Sequence, residues 1–200
     1  MATMLARERA VLLALEEARK GVREVGGNNR GPRVETYQRA DGLPGEGYAW
    51  CASFVNWCFL TAGRPLDELK RSASVGFLET YARGLGWLHA KPARGDVFCW
   101  RSNDGDTWPD HTGFVVAVNR DGSLRTVEGN TSSTSVDEGD GVYVKTRPAS
   151  FAARCSFIRV PGQVPAPKPK RRLYAWAIRD SREVIQALKE RRRELKAAGK

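Results

Sequence analysis

Apolar side chains recur along residues 4–25 at helical spacing, with Leu5, Leu12, Leu15 and Val22 on one face. Arg7, Glu8, Arg9, Glu16, Glu17, Arg19 and Lys20 lie among them, so the pattern predicts an amphipathic helix. The cluster Gly26-Gly27-Asn28-Asn29-Arg30-Gly31-Pro32 breaks it and predicts a turn. A short helix is expected over 33–40, then a Gly/Pro-rich loop over 41–47. A further helix starts at Cys51, puts Phe54, Val55, Cys58 and Phe59 on one side, and stops near Ala62-Gly63. Another is expected over 75–83. From Gly95 the pattern changes to short apolar runs at 97–100, 113–118, 124–128, 142–146 and 155–160, separated by Gly/Asp/Ser turns, and these predict strands. Helices followed by an antiparallel sheet give an α+β domain.

The pattern lapses at Pro161. Prolines at 161, 165, 167 and 169 predict a Pro-rich, basic, extended linker over 161–172, which bounds a first domain of residues 1–160. Helical spacing returns over 173–200. Tyr174, Ile178, Ile185, Leu188 and Leu195 form one stripe, and most of the cations lie away from it.

Charge sharpens that division. The 200 residues carry a net +10, and the stretch from Lys168 to Lys200 holds twelve Lys/Arg against four Asp/Glu, or +8. Residues 1–167 are left with +2. Such asymmetry predicts a tail that meets an anionic surface. Arg171, Arg172, Arg179, Arg182, Lys189, Arg191, Arg192 and Arg193 are the candidate contacts. With Tyr174 and Trp176 near its start, a cationic amphipathic helix suits anionic membrane or lipopolysaccharide; a wall polymer is a second option. The competing reading packs the stripe on the first domain or on a second copy. Nucleic acid is not expected, because the tail lacks the aromatic interleaving of a base-stacking surface. No run approaches eighteen apolar residues, and no apolar leader precedes the first helix. The chain is therefore expected to be made in a cytoplasm, and to act outside it only when something else lets it out.

The four cysteines do not make a disulfide framework. Cys51 and Cys58 are seven apart on one predicted helix, too far along its axis for an easy bridge. Cys58, Cys99 and Cys155 sit in apolar runs and are expected to be small buried hydrophobes. No CxxC pair or zinc-type His/Cys cluster occurs. Cys51 differs because it opens a helix, whose unpaired N–H groups favour a thiolate. His111 opens the predicted strand after Asp110 and is the candidate proton acceptor; the other histidine, His89, has no acidic neighbour in sequence. Glu128 and Asn130 end the next strand. Being two apart, they face one side if the strand continues, and either could hold the imidazole.

These segments also carry a resemblance. Gly27-Asn28-Asn29-Arg30-Gly31-Pro32, Trp50-Cys51-Ala52-Ser53-Phe54-Val55-Asn56-Trp57, Gly95-Asp96-Val97, Asp110-His111-Thr112-Gly113-Phe114-Val115-Val116 and Glu128-Gly129-Asn130 together resemble a CHAP domain. These are cysteine/histidine-dependent amidohydrolases and peptidases of the papain-like and NlpC/P60 group. The resemblance runs over roughly residues 5–160. It implies helices packed on an antiparallel sheet, Cys51 as nucleophile, and His111 as general base and then acid. Glu128 would orient the imidazole, with Asn130 as a polar helper, and the N–H of Cys51 would serve an oxyanion hole.

Trp50, beside the thiol, and Trp108, in the loop before His111, are the candidate substrate contacts; a solvated hairpin is the competing reading of 102–109. Some CHAP domains bind calcium through aspartates just before the cysteine. Here residues 41–47 offer only Asp41 and Glu46, so no metal and no cofactor are expected.

The resemblance implies peptidoglycan as substrate and an endolysin-like monomer acting at the cell wall. Two other readings keep the fold. One is an intracellular amidase on a small peptide conjugate; the other is an inert phage structural or binding module.

Overall fold

Glycine in the left-handed region closes two helices that shape the structure. Gly21 (φ 67°) ends α1, Ala6–Lys20, and Gly63 (φ 84°) ends α3, Cys51–Ala62. The computed structural model describes residues 3–64, 66, 72–103, 105, 107–133 and 139–165. Between α1 and α3 runs α2, Pro32–Ala40, with Pro32 at its first position, and α4 covers Val75–Gly84. The buried face of α1 is Ala6, Ala10, Val11, Ala14 and Leu15. Leu12 is only half-buried, and that face carries three alanines and a valine beside its one leucine.

The strands β2 (Leu88–His89), β3 (Val97–Trp100), β4 (His111–Val118), β5 (Leu124–Thr131), β6 (Gly141–Arg147) and β7 (Cys155–Ile158) form one antiparallel sheet in the order β2-β7-β3-β4-β5-β6. The fold class is α+β, as the hydrophobic pattern predicts. Three features lie outside that pattern. β1 (Thr3–Leu5) pairs with β8 (Gln163–Pro165), so the start of the stretch read as a linker carries a strand. His89 lies on the edge strand β2 and is exposed. The short helix α5 covers Ala149–Ala152.

α3 is apolar around most of its surface and packs against β4 and β5. Phe59 meets Phe114 at 5.6 Å between ring centroids. A Cβ on Gly129 would stand 2.7 Å from the Phe54 ring, so helix and sheet touch closely there. A second apolar cluster, Phe98, Val115, Leu124, Phe151 and Phe157, joins the sheet to α5. Cys58 and Cys99 are fully buried and their thiols are pushed well up by burial, while Cys155 is half-exposed, unlike the sequence expectation; all four cysteines are free. Among the described residues no helix is long and apolar enough to cross a membrane. The tail helix expected over 173–200, and with it the anionic-surface contacts from Arg171 to Arg193, lies outside the described residues.

Candidate active site

Trp50 occupies the N-cap position of α3, and Phe54 N–H donates to its carbonyl at 2.8 Å, the first bond of the helix. The N–H groups of Cys51, Ala52 and Ser53 therefore have no acceptor within the helix and surround the thiol's end of it. No side chain caps this end, which leaves its positive dipole available to an anion.

Trp50 itself differs from the expected exposed contact: its side chain is fully buried. Its ring stacks on Tyr37 at 5.5 Å and its Nε1–H donates to Glu24 at 2.9 Å. Tyr37 is held in turn by Glu17, a buried carboxylate that also binds Arg33 and Lys20. Thus α1 and α2 clamp the residue before the cysteine, and the backbone at Cys51 inherits that rigidity.

From the thiol inwards the side chains grow steadily drier. Cys51 is 6% exposed, His111 5% and Glu128 0%. The Cys51 thiol interacts with the His111 ring and favours its charged form. On the other side of the ring, Nε2 lies 3.0 Å from Glu128 Oε2, which leaves Nδ1 as the nitrogen for sulfur. Burial favours the neutral carboxyl of Glu128, but bonds to His111 and Arg147 outweigh it and lower its pKa to about 2. Glu128 is thus an acceptor, and Nε2 carries the proton. Burial likewise works against a charged imidazole, yet the interactions with Cys51 and Glu128 outweigh it and raise His111 to about 9. The arrangement favours imidazolium beside sulfur, the state a thiol nucleophile needs.

Besides His111, two residues hold Glu128 through three hydrogen bonds. Thr126 Oγ1–H donates to Oε1 at 2.5 Å, Arg147 Nε–H donates to Oε1 at 2.8 Å, and Arg147 Nη2–H donates to Oε2. Arg147 is missing from the sequence reading. Its signal is parity: Glu128 pairs with Tyr143 and Thr126 with Lys145, so Tyr143, Lys145 and Arg147 share the face of β6 that matches the Glu128 face of β5.

Asn130 stands apart from this network. The β5–β6 register shifts between Glu128 and Thr131, and Asn130 takes a left-handed φ of 54°. The simple alternation that would set it beside Glu128 is broken by this bulge, and no hydrogen bond joins Asn130 to His111. Trp108 is 50% exposed and meets Phe77, 51% exposed, edge-on at 5.6 Å. Its ring rests against Gly76, where a Cβ would collide with it. Among the described residues no cluster of His, Cys, Asp and Glu could hold a metal ion.

Cys51, His111 and Glu128 thus lie together at the junction of α3 with the sheet of an α+β fold, and the family comparison falls on the same residues. Residues 43–130 match the CHAP domain and contain Cys51, His111, Glu128 and Asn130. Over that stretch the chain is similar to the CHAP domain, and the match is shorter than the 5–160 that the motifs suggest. No curated protein matches the chain. Among solved structures, it is similar to an N-acetylmuramoyl-L-alanine amidase from Staphylococcus aureus, at 22% identity and a TM-score of 0.35, over 44% of this chain and 25% of that one. It is also similar to Ly7917, at 15% identity and a TM-score of 0.45, over 78% of this chain and 62% of that one. The chain therefore spans a quarter of the first structure and about three fifths of the second.

Proposed function

We propose that the protein is a peptidoglycan hydrolase that cleaves an amide bond of the bacterial cell wall through Cys51, His111 and Glu128. The observation that carries this reading is the buried His111–Glu128 hydrogen bond with the Cys51 thiol at the helix start interacting with the same imidazole, inside the stretch similar to a CHAP domain. Cys51 sulfur attacks the amide carbonyl, and the first-turn N–H groups of α3 stabilise the oxyanion. His111, holding the proton taken from sulfur, gives it to the departing amine. A water then adds to the thioester with His111 as base, and the acid is released. Glu128 accepts from Nε2–H throughout and keeps Nδ1 aimed at the reacting atoms. Asn130 has no part in this step and serves the turn.

Trp108 is the proposed substrate contact, because an exposed indole three residues before the base suits stacking on sugar or peptide. The basic segment from Arg171 to Arg193 is proposed to hold the enzyme on an anionic envelope surface. Its support is the sequence charge alone. The protein is taken to work as a monomer, made in a cytoplasm and acting at the wall.

Clearing of a suspension of purified peptidoglycan tests the proposal. Wild type should clear it and Cys51→Ala should not. Equal clearing by both, or none by either, would sink it.

A further inference from the structure

The feature that the triad leaves unexplained is a buried arginine. Arg147 is almost wholly buried, at the last position of β6, four residues beyond the partner of Glu128 along the strand. A lone guanidinium there would be costly. It is tolerated because both Nε–H and Nη2–H reach the two oxygens of Glu128, and because its plane lies over the Phe151 ring, 4.8 Å from the centroid. The same Oε2 that accepts from His111 Nε2–H also accepts from Arg147.

We propose that Arg147 is a positioning residue for the thiol–imidazole chemistry, locking the Glu128 carboxylate in its ionised form and in the orientation that holds His111. The inference rests on the reading of Cys51 and His111 as nucleophile and base. Two consequences of the geometry support it. A planar fork fixes both oxygens, whereas one hydrogen bond would let the carboxylate turn away from the ring. The arginine also makes the buried site electrically balanced. With Glu128 and Arg147 paired, the site is neutral whether Cys51 and His111 are both uncharged or form thiolate and imidazolium. Without Arg147 it would hold an uncompensated carboxylate in a dry environment, and that carboxylate would take up a proton at higher pH.

The other charged or titratable groups that face Glu128 do not replace Arg147. Lys145 on β6 donates to the Ser132 carbonyl at 2.7 Å. Cys155 on β7 is a thiol pushed up to about 12 by burial, and its Sγ–H donates to the Phe151 carbonyl. Arg101 and Arg154, with Arg147, act electrostatically on Cys155. His111 and Cys51 are the pair being served.

The test is the pH dependence of Cys51 alkylation by iodoacetamide, read by mass spectrometry of the peptide containing Cys51. It is measured on wild type, Arg147→Met, Arg147→Lys, Glu128→Gln and the Glu128→Gln, Arg147→Met double variant, with circular dichroism at each pH to confirm folding. Alkylation needs thiolate but no wall substrate, so failure of this proposal is separable from failure of the peptidoglycan reading. In Arg147→Met the acid limb should move up by at least one pH unit, which is a loss of about tenfold in rate at any pH below the limb. Arg147→Lys, which keeps the charge and loses the fork, should move it less. In a Glu128→Gln background, Arg147→Met should add no further shift. If Arg147→Met does not fold, Arg147→Lys decides: a profile and rate superposable on wild type would overturn the proposal. Slower alkylation in Arg147→Met with an unmoved acid limb would overturn it too, since that is what a purely structural arginine gives.

Discussion

Glu128 reaches His111 by passing over Gly113. A Cβ at position 113 would stand 2.9 Å from Glu128 Cγ and 2.8 Å from the Val127 carbonyl, closer than real Cβ contacts allow. His111 and Gly113 share one face of β4, so the hydrogen in place of a side chain is what lets the carboxylate lie flat along the strand towards the ring.

Gly113→Ala should accordingly act through Glu128. The expected outcome is a fall in turnover of about tenfold or more, with an overpacking cost of about 1–3 kcal/mol. Steady-state kinetics alongside thermal unfolding would check it. Wild-type turnover in a stable Gly113→Ala protein would mean that Glu128 does not need this path.

The coupled pair gives a pH prediction whose sign can be worked out. His111 is raised from its ordinary 6.5 to about 9, so its contribution to stability is complete below about 6.5 and is lost as pH rises through about 9. Glu128 is lowered from 4.5 to about 2, so its contribution is present above about 4.5 and is lost as pH falls towards about 2. Glu128→Gln removes the negative charge that stabilises the His111 imidazolium. The alkaline limb of activity should then move from about 9 back towards 6.5. Because the change also strands Arg147, the variant should lose about 3–5 kcal/mol at neutral pH. An alkaline limb that stays put in Glu128→Gln would refute the assigned coupling.

Much of this was legible in the chain. Helical and strand periodicities place α2, α3, α4 and β3 to β7 within a few residues, because each has one well-defined apolar pattern. The order Cys51, His111, Glu128 is legible because each opens or closes such an element. Trp50 misleads, since adjacency to a cysteine suggests exposure; its spacing to Phe54, one helical turn on, is the signal that it points inwards. Asn130 leaves the simple alternation because of a bulge that no period foretells. β1 and β8 are three residues each and pair across the length of the domain, so neither carries a period. Arg147 was counted only as charge.

At the rim, Trp108→Ala should raise KM several-fold on wall substrate and spare kcat, since the indole makes no contact with the buried triad. Gly76→Ala should do the same by displacing the ring from α4. Kinetics on soluble muropeptides of graded length would check both. A fall in kcat with unchanged KM would instead tie this loop to the position of His111.

Removing residues 167–200 should leave cleavage of soluble muropeptides intact and weaken lysis of whole cells. The gap should be widest at low salt, because long-range attraction is screened above about 0.1 M. Parallel loss of both activities would contradict an envelope-docking role for the basic tail.

The most direct test of the central claim is mass spectrometry of purified peptidoglycan digested by wild type and by Cys51→Ala. Wild type should release fragments with a new amine and a new carboxyl end at an amide bond. Stem peptides freed from intact glycan strands would mark a muramoyl–alanine amidase, and cuts within stem or bridge an endopeptidase. Cys51→Ala should release neither. Identical fragments from both proteins, or glycan cleavage with every amide intact, would contradict the account.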